Sequence, residues 1–160
     1  MGYYDSIASG YEELYGEEQL KKCMIIKKYF NPENKKIVDV GCGTGIATNF
    51  FNCEIGIDPS EKLLYIARKK FPKIKFIKGK AEKLPFRDNE FDAVVSLTAI
   101  QNFEDIEKGL KEIKRVGKEF VLSFLKKSEK SKKIENEIKK LFKIKKIVEE
   151  EKDIVYFCTK

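Results

Sequence analysis

The 160-residue chain contains no histidine. That single absence removes His-ligated metal sites, zinc fingers and every nucleophilic triad built on an imidazole base. Cysteine is present but unpatterned: Cys23, Cys42, Cys53 and Cys158 show no C-x-x-C spacing, so they read as reduced core thiols, and no metal is expected. No apolar run approaches the roughly 20 residues needed to cross a bilayer. The first residues, Met1-Gly2-Tyr3-Tyr4-Asp5, have neither a basic flank nor an apolar core, so they read as no secretory signal and a cytoplasmic location is expected. Repeats, low-complexity linkers and a second domain are missing too. What remains is one domain over residues 1–160, soluble and globular by its 42% hydrophobic and 37% charged residues.

The net charge of +7 is unevenly placed. Residues 126–146 hold ten lysines and three glutamates, which accounts for all of it, and the rest of the chain is neutral. A helix striped by Ile134, Ile138, Leu141 and Phe142 runs through this segment, so its lysines read first as a solvated face. A phosphate-tracking patch for RNA is the alternative, although residues 126–140 lack the interleaved aromatics of a base-stacking surface.

Three parts follow along the chain. Residues 1–30 are a tyrosine-rich arm followed by a helix expected over residues 17–30, with Leu20, Cys23, Met24 and Ile26 as its apolar side. Residues 36–125 alternate short apolar strands with helices: strands end at Val40, Asp58, Ile77, Leu97 and Leu125, and Ser60 is placed to cap the helix carrying Leu63, Leu64, Ala67 and Phe71. Residues 126–160 add the basic helix and a terminal hairpin. Five alternations predict an α/β fold, a doubly wound parallel sheet with helices on both faces, and the hairpin places an antiparallel strand at one edge.

The most specific stretch is Val38-Asp39-Val40-Gly41-Cys42-Gly43-Thr44-Gly45. A buried strand runs into a glycine turn and then a helix, an arrangement that brings backbone close to a ligand and aims helix N–H groups at it. Ile46 breaks the dinucleotide G-x-G-x-x-G pattern, and no Lys-Ser/Thr pair makes it a phosphate-binding P-loop. Asp39 is a carboxylate within a buried strand and needs a cationic or hydrogen-bonding partner. Asp58 ends the second strand, where a carboxylate can accept from both ribose hydroxyls of a nucleoside.

With Gly56-Ile57-Asp58-Pro59-Ser60, Ala81-Glu82-Lys83-Leu84-Pro85-Phe86 and Phe91-Asp92-Ala93-Val94-Val95-Ser96, this stretch resembles, in order and spacing, the class I (Rossmann-like) S-adenosylmethionine-dependent methyltransferases, especially the branch that includes quinone-biosynthesis C-methyltransferases. The resemblance covers roughly residues 3–125. It implies a three-layer sheet of order 3-2-1-4-5-7-6 with strand 7 antiparallel, and S-adenosyl-L-methionine as cofactor. It places Gly41, Gly43 and Gly45 beneath the methionine and ribose, Asp39 near the methionine amine and Asp58 on the ribose. Pro59 would lie against adenine, with Ala81 offering its N–H to the ring, Leu97 offering backbone to the methionine end and Tyr11 serving as a lid tyrosine near the cofactor carboxylate.

Two departures bear on function. Lys80 stands where many relatives have Asp or Asn to accept the adenine amine, leaving that role to Glu82; and Ala99-Ile100-Gln101-Asn102 replaces a frequent His pair after the fourth strand. Thr98, Gln101, Asn102 and Tyr4 are the candidates for orienting a methyl acceptor. A small-molecule acceptor is favoured slightly over RNA, and a methyltransferase-like subunit without turnover is the third reading.

Overall fold

Strands buried on both faces need a helical layer on each side, and this chain supplies them in alternation. The computed structural model describes residues 9–160, with side chains from Leu14 onward. Its elements are α1 (Ser9–Lys27), β1 (Ile37–Val40), α2 (Ile46–Phe50), β2 (Ile55–Asp58), α3 (Glu61–Lys70), β3 (Lys75–Lys78), β4 (Ala93–Ser96), a 3₁₀ turn (Ile100–Asn102), α4 (Ile106–Val116), β5 (Glu119–Leu125), α5 (Ser131–Leu141), β6 (Lys143–Glu149) and β7 (Asp153–Thr159). The seven-stranded sheet has the order β3-β2-β1-β4-β5-β7-β6. Strands β1 to β5 are parallel and β7 is antiparallel to both neighbours, as the sequence pattern and the resemblance both predicted. No helix among the described residues is long and apolar enough to cross a membrane.

Strand register divides the core. Asp39 pairs with Gly56 and Val95, Gly56 with Phe76, Val95 with Val121, and Val121 with Phe157, so these residues form one row across one face. Cys23, Ile26 and Phe30 from α1 and its C-terminal turn, with Ala47 and Phe51, cover the middle of that face, and Leu64 and Ala67 of α3 cover Phe76. The opposite face buries Val38, Val94, Phe120 and Leu122 beneath Leu110 and Ile113 of α4 and Ile134 and Ile138 of α5. Helix starts follow capping chemistry: the Leu63 N–H donates to Ser60 Oγ (3.2 Å) and the Lys108 N–H to Asp105 Oδ1 (3.0 Å).

Helix α1 departs from the expected pattern in two ways. It begins at Ser9 rather than near residue 17 and runs through Gly10 and Gly16. A Cβ at Gly16 would lie 3.5 Å from Ile46 Cδ1, so the missing side chain lets α1 lie close against α2. Its buried face also differs: Cys23 and Ile26 are fully buried as expected, but Leu20 and Met24 are 43% and 62% exposed. Gln19 and Lys22, each 6% exposed, take the inward places instead. Gln19, Lys22, Cys23 and Ile26 stand at i, i+3, i+4 and i+7, a single helical stripe, with Leu20 and Met24 turned off it. Polar residues occupy a buried stripe here because each meets a partner inside.

This orientation predicts unequal costs of substitution. Met24→Lys should change unfolding free energy by less than about 0.5 kcal/mol, whereas Ile26→Ala should cost about 2–5 kcal/mol. Urea unfolding with an unchanged m value measures both.

Candidate functional site

At the carboxyl end of β1, Gly41, Gly43 and Gly45 have φ of +77°, +55° and +84°, in the left-handed region that only glycine enters cheaply. Two of them are also demanded by packing. A Cβ at Gly41 would stand 2.5 Å from Ala99 Cβ, and one at Gly45 only 2.7 Å from the Phe76 ring. Gly43 is different, because among the described residues a Cβ there would meet only the Tyr15 hydroxyl, at 3.6 Å. Among the described residues, Gly43 is therefore bare toward the cleft that it lines. The turn is tied to β2: the Gly41 and Cys42 N–H groups donate to the Ile57 carbonyl at 2.8 and 3.1 Å. The Gly43 and Ser60 N–H groups donate to the two oxygens of Asp58, at 2.9 and 2.8 Å.

A cleft of about 540 Å³ opens above these residues, within the range of small-molecule sites. Gly41, Gly43, Asp58, Pro59, Ala81, Glu82, Leu97, Thr98, Gln101 and Asn102 all line it, so most of the residues selected from sequence converge on one space. Asp39 and Gly45 do not line it; Gly45 supports the turn from behind, against Phe76 and Phe71. Tyr4 lies outside the described residues, as does the side chain of Tyr11, whereas Tyr15 is in place on the cleft wall. Asp58 is 7% exposed, and burial pushes its carboxyl above the usual range, opposed by the two N–H donors. Each of its oxygens keeps a lone pair for a further donor. Nearby, Lys80 pairs with Glu104 (2.9 Å), and Glu82 Oε2 accepts the Asp105 N–H (3.0 Å).

Asp39 lies in a small adjoining cavity of about 10 Å³, which shares Tyr15, Gly41 and Leu97 with the main cleft. The carboxyl is 2% exposed and accepts the Thr48 hydroxyl at 2.8 Å; burial, first of all, raises its pKa to about 7. Gln19 and Thr44 line the same cavity, and Gln19 Oε1 and Thr44 Oγ1 are buried without a partner among the described residues. The Gln19 amide meanwhile donates to the Tyr15 hydroxyl at 2.9 Å. Among the described residues, the Asp39 carboxylate, the Gln19 amide oxygen and the Thr44 hydroxyl can each accept a hydrogen bond from a group placed in this cavity, an environment suited to an ammonium group. Gln19, Thr44 and Thr48 were not selected from sequence. The only available signal was a polar residue on the inward stripe of α1 and two threonines flanking the last glycine.

Beyond Leu97 the backbone turns at Thr98, whose φ of +57° is unusual for a β-branched residue and costs roughly 1–3 kcal/mol. Ser123 holds it from below: the Thr98 N–H donates to Ser123 Oγ (2.9 Å), and the Thr98 hydroxyl donates to Asp153 Oδ2 (2.7 Å). Lys22 Nζ donates to the same Thr98 hydroxyl, and Gln101 Nε2 donates to the Thr98 carbonyl at 2.7 Å. The Thr98 hydroxyl is therefore engaged inward, while Gln101 and Asn102 remain on the cleft wall. All four cysteines are free and buried, and burial pushes the Cys23 and Cys158 thiols up to about 12, which makes them inert core side chains.

The raised pKa of Asp39 has a definite sign for stability. Its folded value of about 7 lies above the usual 3.8, so the folded state binds the extra proton between these values. Stability associated with the protonated carboxyl is complete below about pH 4 and is lost as pH rises through about 7. Asp39→Asn removes that loss and keeps an oxygen for Thr48. In thermal melts without ligand, the variant should gain on the wild type progressively from pH 4 to pH 8.

Comparison with known proteins covers the same elements. A family model described as "Methyltransferase domain" matches residues 38–120. A demethylmenaquinone methyltransferase of Chlorobaculum tepidum is 44% identical over 86 residues, 51% of this chain and 36% of that protein. Another, of Thermotoga maritima, is 32% identical over 127 residues, 72% of this chain and 56% of that protein. The chain thus spans between about a third and a little over half the length of these relatives. Among solved structures, a Thermotoga maritima protein described as a SAM-dependent methyltransferase superposes with a TM-score of 0.75 over 95% of both chains at 21% identity, a likeness of fold. The matched segment holds the glycine turn, Asp58 and the strand ending before Leu97, and the chain belongs to the methyltransferase-domain family, of the class I S-adenosylmethionine-dependent kind.

Proposed function

We propose that the chain binds S-adenosyl-L-methionine in the joined cleft and catalyses transfer of its methyl group to a small-molecule acceptor. The observation that carries this reading is the pair of adjoining spaces, each with a buried carboxylate that can accept hydrogen bonds. At one end Asp58 offers lone pairs beside the exposed ring of Pro59, which suits a ribose and a base. At the other end the Asp39 carboxylate, the Gln19 amide oxygen and the Thr44 hydroxyl can all accept, which suits the amino group of an amino acid. Gly43, bare toward the cleft, lets the chain between them pass close to the backbone.

A bound S-adenosylmethionine supplies a methyl on a sulfonium sulfur, displaced in line by the acceptor. The protein's part is to align, to exclude water and to leave room opposite the sulfur. Leu97 and Ala99 give that region apolar walls, while Gln101 and Asn102 orient the acceptor by hydrogen bonds. No histidine exists to act as base, and the Thr98 hydroxyl is committed to Asp153 and Lys22. Acceptors that need little help in losing a proton fit this set best.

A small molecule is favoured because relatives 44% and 32% identical to this chain are described as demethylmenaquinone methyltransferases. The basic segment supports RNA less well, since Lys126, Lys139 and Lys140 pair with Glu149, Glu135 and Glu107. Exposed Lys127, Lys132 and Lys133, beside the end of β5, are what favours RNA as the second reading.

Calorimetry with S-adenosylhomocysteine should show saturable binding that Gly43→Val, strained at a positive φ and filling the cleft, weakens at least about 100-fold. Equal binding by the variant would sink the proposal. Affinity should fall as pH drops below about 7, where Asp39 takes up a proton and no longer attracts an ammonium group. Labelled-methyl transfer into fractionated cell extract identifies the acceptor class: label in RNA rather than in metabolites would replace the small-molecule reading with the second one.

A further inference from the structure

Lys22 is a lysine almost fully inside the protein, on the helix that also supplies Tyr15 and Gln19 to the Asp39 cavity. The three residues are spaced by four and three positions, so one stripe of α1 carries them all. Lys22 Nζ lies 3.2 Å from Asp153 Oδ2, and neither side chain reaches solvent to any useful extent, with exposures of 7% and 0%. It also donates to the Thr98 hydroxyl, which itself donates to Asp153. Ser123, on β5 and fully buried, donates to the same carboxylate oxygen at 2.7 Å and receives the Thr98 N–H.

Four separate elements therefore meet at one carboxylate: α1, the turn after β4, β5 and the start of β7. A buried ion pair of this kind is a poor source of net stability, because desolvating two charges offsets their attraction. What it does provide is a fixed geometry. Thr98 is held in a left-handed conformation that it would not choose, and such conformations persist only where surrounding bonds over-determine them. Thr98 follows Leu97, the wall shared by the large cleft and the Asp39 cavity.

We propose that Lys22 is a positioning residue, whose contact with Asp153 and Thr98 fixes α1 and the Leu97–Thr98 turn on either side of the space for the amino-acid end of the cofactor. The inference rests on the reading of the cleft as an S-adenosylmethionine site. It assigns Lys22 to one end only: Asp58, at the other end, is held by the Gly43 and Ser60 N–H groups and shares no hydrogen bond with the Lys22 network.

Two ligands separate the ends. S-adenosylhomocysteine carries adenosine and the amino acid, whereas 5′-methylthioadenosine carries adenosine and sulfur alone. Calorimetry is run on the wild type, on Lys22→Met and on Lys22→Met/Asp153→Asn. The double variant leaves no uncompensated carboxylate buried, so it keeps the test available where the single variant folds poorly. Both variants should bind S-adenosylhomocysteine about tenfold more weakly, while affinity for 5′-methylthioadenosine changes less than about twofold. A merely structural role would weaken both ligands alike or neither, and either result in the folded double variant overturns the proposal. A wild type that binds neither ligand overturns the cofactor reading and this inference with it.

Discussion

The carboxylate of Asp58 is the point on which the cleft depends. It accepts one N–H from Gly43, in the turn after β1, and one from Ser60, at the cap of α3. Two loops that leave neighbouring strands are thereby held at one height. The left-handed angles of Gly41, Gly43 and Gly45 make that approach sterically available, and the Asp58 hydrogen bonds make it stable. Burial of Asp58 has a cost, seen in the upward pressure on its pKa, and the two donors offset part of it.

A second carboxylate organises the other end. Asp153 gathers Lys22, Thr98 and Ser123, and so joins the first helix of the chain to its last strand through the middle of the sheet. Between the two carboxylates lies Asp39, which among the described residues has neither a cation nor a backbone donor, only the Thr48 hydroxyl. The three acids are buried alike and differ in how fully they are satisfied. Asp153 keeps one oxygen, Oδ1, without a partner among the described residues, and Asp39 is the acid that lines the small cavity, where a ligand could complete its bonding.

The lysine excess of residues 126–146 is spread over two elements rather than focused on one. Ile134 and Ile138 turn α5 inward, and Lys139 and Lys140 face outward to Glu135 and Glu107. On β6, the edge of the sheet, Lys143, Lys145 and Lys146 are exposed. Charges there discourage pairing with another strand, a role that asks for no ligand.

Strand order and most of the cleft were legible from sequence because they rest on local, short-range signals. Val38–Gly45 marks a strand followed by a tight turn whatever surrounds it, and Asp58 closes the next strand at a spacing that topology brings alongside. Ser60 caps the helix it was expected to cap, for the same local reason. The face of α1 was not legible: hydrophobicity pointed to Leu20 and Met24, yet Gln19 and Lys22 are inside. Their burial depends on Tyr15, Thr98 and Asp153, and the last lies 131 positions after Lys22 in the chain. A polar side chain is buried only when its partner is already waiting, and for Lys22 no short window of sequence contains both. The amino-acid sequence by itself therefore determined the sheet and the residues that line the Asp58 end of the cleft, while tertiary structure alone decided which polar groups of α1 face inward, because that choice is made by partners brought together only in the folded chain.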